Sequence, residues 1–214
     1  MLSAVVLTKN EEENIKNCLE ALLFCDEIIV VDDYSTDNTC NIASKIGTVI
    51  FKRSLNGDFA SQRNFGLSKA KNLWVLFVDA DEIVTEELKL EIISKVNDPL
   101  NQNIGYFIKR KTFFMGKQLR FGEAGKNRVL RLAKKSAGKW ERKVHEFWKV
   151  EGKIDILKNE LNHFTCRNLD DFIGKINFYS ELHAKSLLEE KKHSNLFKII
   201  FYPPLKFFNN FFLK

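Results

Sequence analysis

The chain has little cysteine. Four occur in 214 residues, Cys18, Cys25, Cys40 and Cys166, and no two of them form a C-x-x-C pair. Such scatter argues against a zinc knuckle and against a small disulfide-stapled scaffold, and it suits reduced packing thiols in a cytosolic protein. Long apolar runs are also missing, since none approaches the ~20 residues needed to cross a bilayer. The N-terminal "MLSAVVLTKNEEENI" turns polar too early for a signal peptide. There is no internal repeat and no low-complexity linker. Glycine is absent from "TKNEEENI", the stretch after the first apolar run, so that stretch does not build a glycine-rich phosphate loop. Acids are absent from the final "NLFKIIFYPPLKFFNNFFLK", which instead carries six Phe and three Lys.

The rest of the composition is globular. Hydrophobic residues make up 44% and charged residues 29%, which is enough to enclose a core. The length suits one substantial domain, or one domain with an appendage. Lys and Arg outnumber Asp and Glu by 34 to 28, a net charge of +6. That excess favours a phosphate-rich partner, an anionic membrane or nucleic acid without choosing among them.

The first 84 residues alternate between two periods. "SAVVLT", "EIIVVDD", "TVIFKR" and "LWVLFVDADE" are short, β-branched and continuously apolar, as strands buried on both faces must be. Between them lie helical stretches, the first expected to be capped by Asn10 with Glu11, Glu12 and Glu13 in its first turn. The others are "STDNTCNIASKIG" and "DFASQRNFGLSKAK". Strands alternating with helices of about a dozen residues imply crossover units and a mostly parallel sheet flanked by helices, an α/β fold. Ligands bind such sheets at the carboxyl ends of the strands. Thr8–Lys9, Asp32–Asp33 and Asp79–Asp81 all fall at such ends, so three polar clusters are expected on one rim.

Beyond Glu82 the pattern changes. "TEELKLEIISKV" predicts a helix capped by Thr85. "GYFIKRKTFFMG", "RVLRLA" and "KVHEFWKV" predict strands, with turns at Gly116, Gly122 and Gly138. Asn168 is expected to open a long helix with Leu169, Phe172, Ile173, Ile176, Tyr179 and Leu182 on its apolar face. In the basic, aromatic tail Pro203–Pro204 is expected to split two short pieces, and the composition suits a membrane interface.

Several side chains carry candidate chemistry. Residues two apart on a strand point the same way, so Asp79 and Asp81 would present paired carboxylates to Mg²⁺ or Mn²⁺ together with a substrate diphosphate. Glu82 would face away and play a supporting part. Asp32 can accept hydrogen bonds from a base or ribose, while Ser35 and Asp37 suit the turn itself. Arg63 can pair with a phosphate or with the acidic rim. Arg128 and Arg131 are candidates for a diphosphate. Glu146, beside His145 in "KVHEFW", can act as a general base. His163 reads as a packed or surface histidine, and no metal claim is attached to it.

Taken together, "AVVLTKNEEENI", "EIIVVDDYSTDNT", "SQRNFGLSKA" and "VLFVDADEIV" resemble the family 2 glycosyltransferases in order and spacing. The later "RVLRL", "WERKVHE" and "LNHFT" are similar to a narrower group, bacterial lipopolysaccharide core glycosyltransferases of the β-glucosyl type, whose members continue through a glycine-rich segment past the equivalent of "FFNNFFLK". The resemblance implies a GT-A fold and an inverting, metal-dependent transfer from a nucleotide-sugar, expected to be a UDP-hexose such as UDP-glucose. It implies that Thr8, Glu11, Asp32, Arg63 and Asp79 line the nucleotide site and that Asp79 and Asp81 hold Mn²⁺ or Mg²⁺. Glu146 is the implied base, with Arg128, Arg131 and His145 on the diphosphate or acceptor side. The implied domains are a catalytic domain over 1–166, with a nucleotide half at 1–84 and an acceptor half at 85–166, and a helical amphipathic extension over 167–214. The expected acceptor is a lipid-linked or lipopolysaccharide-core glycan, met at the inner face of the cytoplasmic membrane. A metal-dependent nucleotidyltransferase is the alternative enzyme class, but it would want the glycine loop that "TKNEEENI" lacks. A receiver-like signalling module would be complete in roughly 120 residues, leaving the basic aromatic half without a use. Nucleic-acid binding has charge in its favour but no recognition motif.

Overall fold

A computed structural model describes residues 1–121, 127–166, 168–192 and 194–213. The expected turn at Gly122 lies outside the described residues. The chain opens with β1 (Leu2–Thr8), α1 (Ile15–Glu20), β2 (Glu27–Asp32), α2 (Thr39–Lys45), β3 (Val49–Lys52), α3 (Phe59–Lys69) and β4 (Trp74–Asp79). The strands lie in the order β3-β2-β1-β4 and all run parallel. Strand alternation divides the core between two faces. Ala4, Val6, Val30 and Leu76 pack with Ile15 and Leu19, while Val5, Ile29, Val31 and Phe77 pack with Ala60 and Leu67 of α3. Burial on both faces is what requires the continuous apolar runs.

Some boundaries differ from the sequence reading. Helix α1 begins at Ile15, after Asn14, so Asn10 is not its cap. Asn10 instead takes a left-handed φ of 52° and accepts the Thr36 N–H on its side-chain oxygen at 2.8 Å. Strand β4 ends at Asp79, where Ala80 and Asp81 turn the chain into β5 (Glu82–Val84).

Thr85 then caps α4 (Glu86–Asn97), its hydroxyl accepting the Leu88 N–H at 3.2 Å. The remaining strands are β6 (Gly105–Phe114), β7 (Lys117–Gln118), β8 (Arg128–Lys134), β9 (Gly138–Glu141), β10 (Phe147–Val150) and β11 (Ile154–Cys166). They extend the parallel half as β4-β8-β6-β11-β5, with antiparallel pairing at β4–β8, β8–β6 and β11–β5, so the sheet is mixed. Strands β9 and β10 form a separate antiparallel hairpin. The strand expected over "KVHEFWKV" covers only its second half, leaving Lys143–Glu146 in the hairpin loop. Gly138 opens β9 rather than making a turn, and its need for glycine is steric: an added Cβ would stand 1.7 Å from the Lys149 carbonyl oxygen.

The chain forms two compact units, Met1–Arg110 with Arg128–His163, and Lys111–Asn127 with Phe164–Lys214. In the second, α5 (Leu169–Glu189) is capped by Asn168, whose side chain accepts the Asp171 N–H at 2.8 Å. Helix α6 (Leu196–Phe208) runs unbroken through Pro203 and Pro204 and leads into a π-helical turn at Asn209–Leu213, where a split was expected. Proline's fixed φ is itself helical, so the helix can hold both residues, at the cost of the two bonds the ring nitrogens cannot donate and of ring contacts with the preceding turn. No helix among the described residues is long and apolar enough to cross a membrane.

Two mid-helix glycines should respond oppositely to Ala. At Gly66 a Cβ would stand 2.5 Å from Val5 Cγ1 and 3.2 Å from Val31 Cγ2, whereas at Gly174 nothing lies within 4 Å. Urea unfolding should show Gly66→Ala costing about 1–3 kcal/mol through overpacking and Gly174→Ala gaining up to ~1 kcal/mol of helix propensity. Equal responses would contradict the close packing of α3 on β1 and β2.

Candidate functional site

The register places the three polar clusters on one rim, as expected. Thr8 pairs with Asp32, and Leu7 pairs with Asp79, so the carboxyl ends of β2, β1 and β4 are level neighbours. The loops after β1 and β2 are tied together. Asn10 N–H donates to Ser35 Oγ at 2.9 Å, Glu11 N–H to Thr39 Oγ1 at 2.8 Å, and Glu12 N–H to Asp37 Oδ2 at 3.1 Å. Asp37 is thus a loop builder, its other oxygen accepting the Thr39 N–H at 3.0 Å. Asp32 is fully buried, and its two oxygens accept from the Ser35 N–H and hydroxyl. A carboxylate has lone pairs left after two such bonds. Glu11 is half-buried and accepts from the Asn14 side-chain amide at 2.6 Å. Asp33 pairs with Lys9 at 2.8 Å and accepts the Leu55 N–H.

At the end of β4 the charges interlock. Arg63, buried on α3, donates from Nη2 to Asp79 Oδ1 at 2.8 Å and from Nε to Glu146 Oε1 at 2.9 Å. Its guanidinium also lies 4.7 Å from the centre of the Trp140 ring. Arg131 meets the other Asp79 oxygen. Tyr106 pairs with Leu132 but Phe107 with Leu130, which leaves Arg131 as the extra residue of a β-bulge, a device that re-aims a side chain. Glu82 does not face away. It is fully buried, accepts the Asp79 N–H on Oε2 at 2.8 Å, and sets Oε1 3.2 Å from Arg110 Nε and 3.7 Å from Arg131 Nη2. The turn at Ala80–Asp81 removes the strand geometry on which the opposite expectation rested. Arg110 Nη2 also lies 2.7 Å from His163, whose Nε2 is 3.6 Å from Asp81.

The protonation preferences follow from this arrangement. Burial alone would raise the Asp79 carboxyl, yet Arg131, Arg63 and Arg110 hold it well below the ordinary carboxylate range. Burial would lower the Arg63 guanidinium, but Asp79 and Glu146 raise it instead. Glu82 is raised, because its burial and the neighbouring Asp79 outweigh Arg131 and Arg110. The Cys18 thiol, 3.5 Å from the Asp79 carbonyl, is pushed far up by burial and by Glu82, Asp81 and Asp79, as befits an inert packing thiol.

The predicted metal pair is not presented as two carboxylates side by side on a strand: β4 ends at Asp79, both Asp79 oxygens meet arginines, and Asp81 lies by His163. No three His, Cys, Asp or Glu side chains come together as a metal-binding group among the described residues. Arg128 is exposed while Arg131 is buried. His145 is exposed, with a left-handed φ of 55°. Arg110 and the role of His163 were missed. Arg110 lay hidden in the basic run Lys109-Arg110-Lys111 of β6, and the pairing that brings β11 alongside β5 is non-local. Buried polar atoms remain without hydrogen-bond partners at Thr8 Oγ1, Arg63 Nη1, and Arg131 Nε and Nη1. The unsatisfied N–H groups of Arg131 suit an anionic, oxygen-rich ligand.

Residues 3–148 match the Glycosyl transferase family 2. The chain is similar to the lipopolysaccharide core biosynthesis glycosyltransferase LpsC of Rhizobium meliloti, with 29% identity over 99% of this chain and 80% of LpsC. It is also similar to an uncharacterised glycosyltransferase of Rickettsia typhi, 31% identical over 91% of this chain and 70% of that protein. Among solved structures, glucosyl-3-phosphoglycerate synthase from Mycobacterium tuberculosis, in complex with Mn²⁺, UDP-glucose and phosphoglyceric acid, superposes with a TM-score of 0.55 at 16% identity, over 91% of this chain and 81% of that one. S. aureus TarS 1–349 with UDP-GlcNAc gives 0.54 at 18% identity over 78% of this chain, which spans 59% of the TarS chain, less than two thirds. At these identities the likeness shows the fold, and that fold is GT-A.

Asp79→Asn should leave two buried guanidiniums without their shared counter-charge, a loss of about 3 kcal/mol near neutral pH. A depressed carboxyl contributes stability above its unfolded-state value of about 3.9, and that contribution is lost as pH falls below it toward the folded-state value. Urea titrations of wild type and variant should therefore show a wide gap at neutral pH that narrows below about pH 4. A gap independent of pH would contradict the charged clamp.

Proposed function

The chain belongs to glycosyl transferase family 2, and from that premise we propose that it moves a sugar from a nucleotide-diphospho-sugar, a UDP-hexose such as UDP-glucose, to a hydroxyl of a lipopolysaccharide-core or related cell-envelope glycan. The likeness to LpsC supports the acceptor class, and the UDP-sugar complexes of the structural neighbours support the donor class. The observation that carries the reading is the link from Asp79 through Arg63 to Glu146, which brings a carboxylate from the His-Glu loop to the strand-end rim.

Residues 1–84 form the nucleotide half in this reading, and 85–166 the acceptor half. Thr8, Glu11 and Asp32 bind the base and ribose. The spare N–H groups of Arg131 bind diphosphate oxygens, with Asp79 keeping the arginines in place. Asp81 supplies a hard oxygen and His163, 3.6 Å away, an imidazole. The Asp81 oxygen fits Mn²⁺ or Mg²⁺ when substrate phosphates complete the coordination, and a bound ion would offset charge on the leaving diphosphate. Glu146 takes the proton from the acceptor hydroxyl as that oxygen attacks the anomeric carbon. The bond to the diphosphate breaks on the opposite side, so the configuration inverts. Arg128 and His145, both exposed, are the acceptor-side candidates.

The tail supplies the membrane contact. Phe197, Ile200, Phe201, Phe207, Phe208 and Phe211 are all exposed. Lys198 and Lys206 stand among them, and residues 195–213 contain no acid. Exposed aromatics with cations suit the anionic inner face of the cytoplasmic membrane, where a lipid-linked acceptor is met.

Calorimetric titration with UDP and Mn²⁺ should show metal-dependent binding that Asp81→Asn weakens by roughly tenfold or more. Equal, metal-independent binding by both proteins would remove Asp81 from the metal site. In flotation assays with anionic liposomes, the full chain should float and a chain lacking residues 195–214 should not. Equal partitioning would remove the tail from the membrane proposal.

A further inference from the structure

The segment "SQRNFG" resembles a nucleotide-site motif, but its contacts lead to the β9–β10 hairpin. Asn64 makes a reciprocal pair with the Trp140 backbone, Nδ2 donating to the carbonyl and Oδ1 accepting the N–H, both at 2.9 Å. At the start of α3, Phe59 N–H donates to the Lys143 carbonyl at 2.9 Å. Between these points Arg63 Nε reaches Glu146 at 2.9 Å. The helix therefore grips the hairpin at its first strand, at its loop and at the carboxylate the loop carries. Gln62 is committed elsewhere, exchanging hydrogen bonds with Arg53.

The loop needs such a grip. Arg142 and His145 hold φ values of 71° and 55°, a left-handed geometry that non-glycine residues keep only when their surroundings impose it. Arg63 can impose it because one planar guanidinium meets Glu146 and Asp79 at once, fixing the distance between them as a flexible ammonium cannot. Its side chain is only 4% exposed, which leaves it little freedom to swing.

We propose that Arg63 and Asn64 are positioning residues of the transfer reaction, holding the hairpin so that Glu146 stands at a set place beside Asp79, and that they do not bind the nucleotide. This rests on the reading of Glu146 as the base.

The test compares Arg63→Lys, Arg63→Gln, Asn64→Ala, Glu146→Gln and the Arg63→Gln/Glu146→Gln double variant, with folding checked by circular dichroism. UDP affinity, measured by calorimetry with Mn²⁺, should stay within about twofold for every folded Arg63 and Asn64 variant, while kcat falls by about 100-fold for the Arg63 variants, the scale of a misplacement near 1 Å. Lys should not rescue. The double variant should be no slower than Glu146→Gln alone, because a residue acting through another adds nothing once that one is gone. UDP affinity weakened tenfold or more with kcat kept, or losses that multiply in the double variant, would overturn the proposal. If the Arg63 variants fail to fold, Asn64→Ala decides on the same two readouts. Should Glu146→Gln transfer at full rate, the base assignment falls on its own, and urea unfolding then judges the grip: midpoint shifts of the two single changes that fail to add uphold it, and strictly additive shifts overturn it.

Discussion

One carboxylate organises the site. Asp79 ends a strand buried on both faces and accepts from Arg63 on one oxygen and Arg131 on the other. An isolated buried charge is costly, so each member of such a cluster must be neutralised by its neighbours. Because Arg63 comes from α3 and Arg131 from β8, that requirement ties helix, sheet and rim together. Through Arg63 it also reaches the hairpin loop with Glu146.

Glu82 makes the cluster more than a set of ion pairs. Its side chain accepts the Asp79 backbone N–H, which fixes the turn through Ala80 and Asp81, while its other oxygen meets Arg110 and Arg131. Three cations, the buried Glu82 and the partly exposed Asp79 share the space, with Glu146 and Asp81 nearby. Several guanidinium N–H groups remain unsatisfied. A buried network that is incomplete by itself is expected where a ligand completes it.

Much of the fold was legible in the residues. The four parallel strands and their helices follow from short β-branched runs alternating with helical stretches, and the shared rim follows from acids placed at strand ends. Thr85 and Asn168 were readable as caps because hydroxyl and amide side chains satisfy free N–H groups locally. The errors were also local in origin. Asn10 looked like a cap, but its carboxamide is spent on Thr36 across the rim. Pro203–Pro204 looked like a break, yet proline's φ is compatible with the helix it interrupts. Asp79 and Asp81 looked like same-side neighbours only as long as the strand was taken to continue past Asp79.

The sequence by itself determined which residue types stand at the strand ends, and hence that a polar rim exists and which family the chain resembles. Tertiary structure decided how those charges are partnered. Arg63 meets Glu146 across 83 positions of chain, and Arg131 meets Asp79 across 52. Arg110 and His163, 53 apart, share a contact next to Asp81. Periodicity and capping act over a few residues and can be read along the chain. Charge neutralisation in a buried site acts through space, and its partners are set by strand order, the bulge at Arg131 and the grip of α3 on the β9–β10 hairpin.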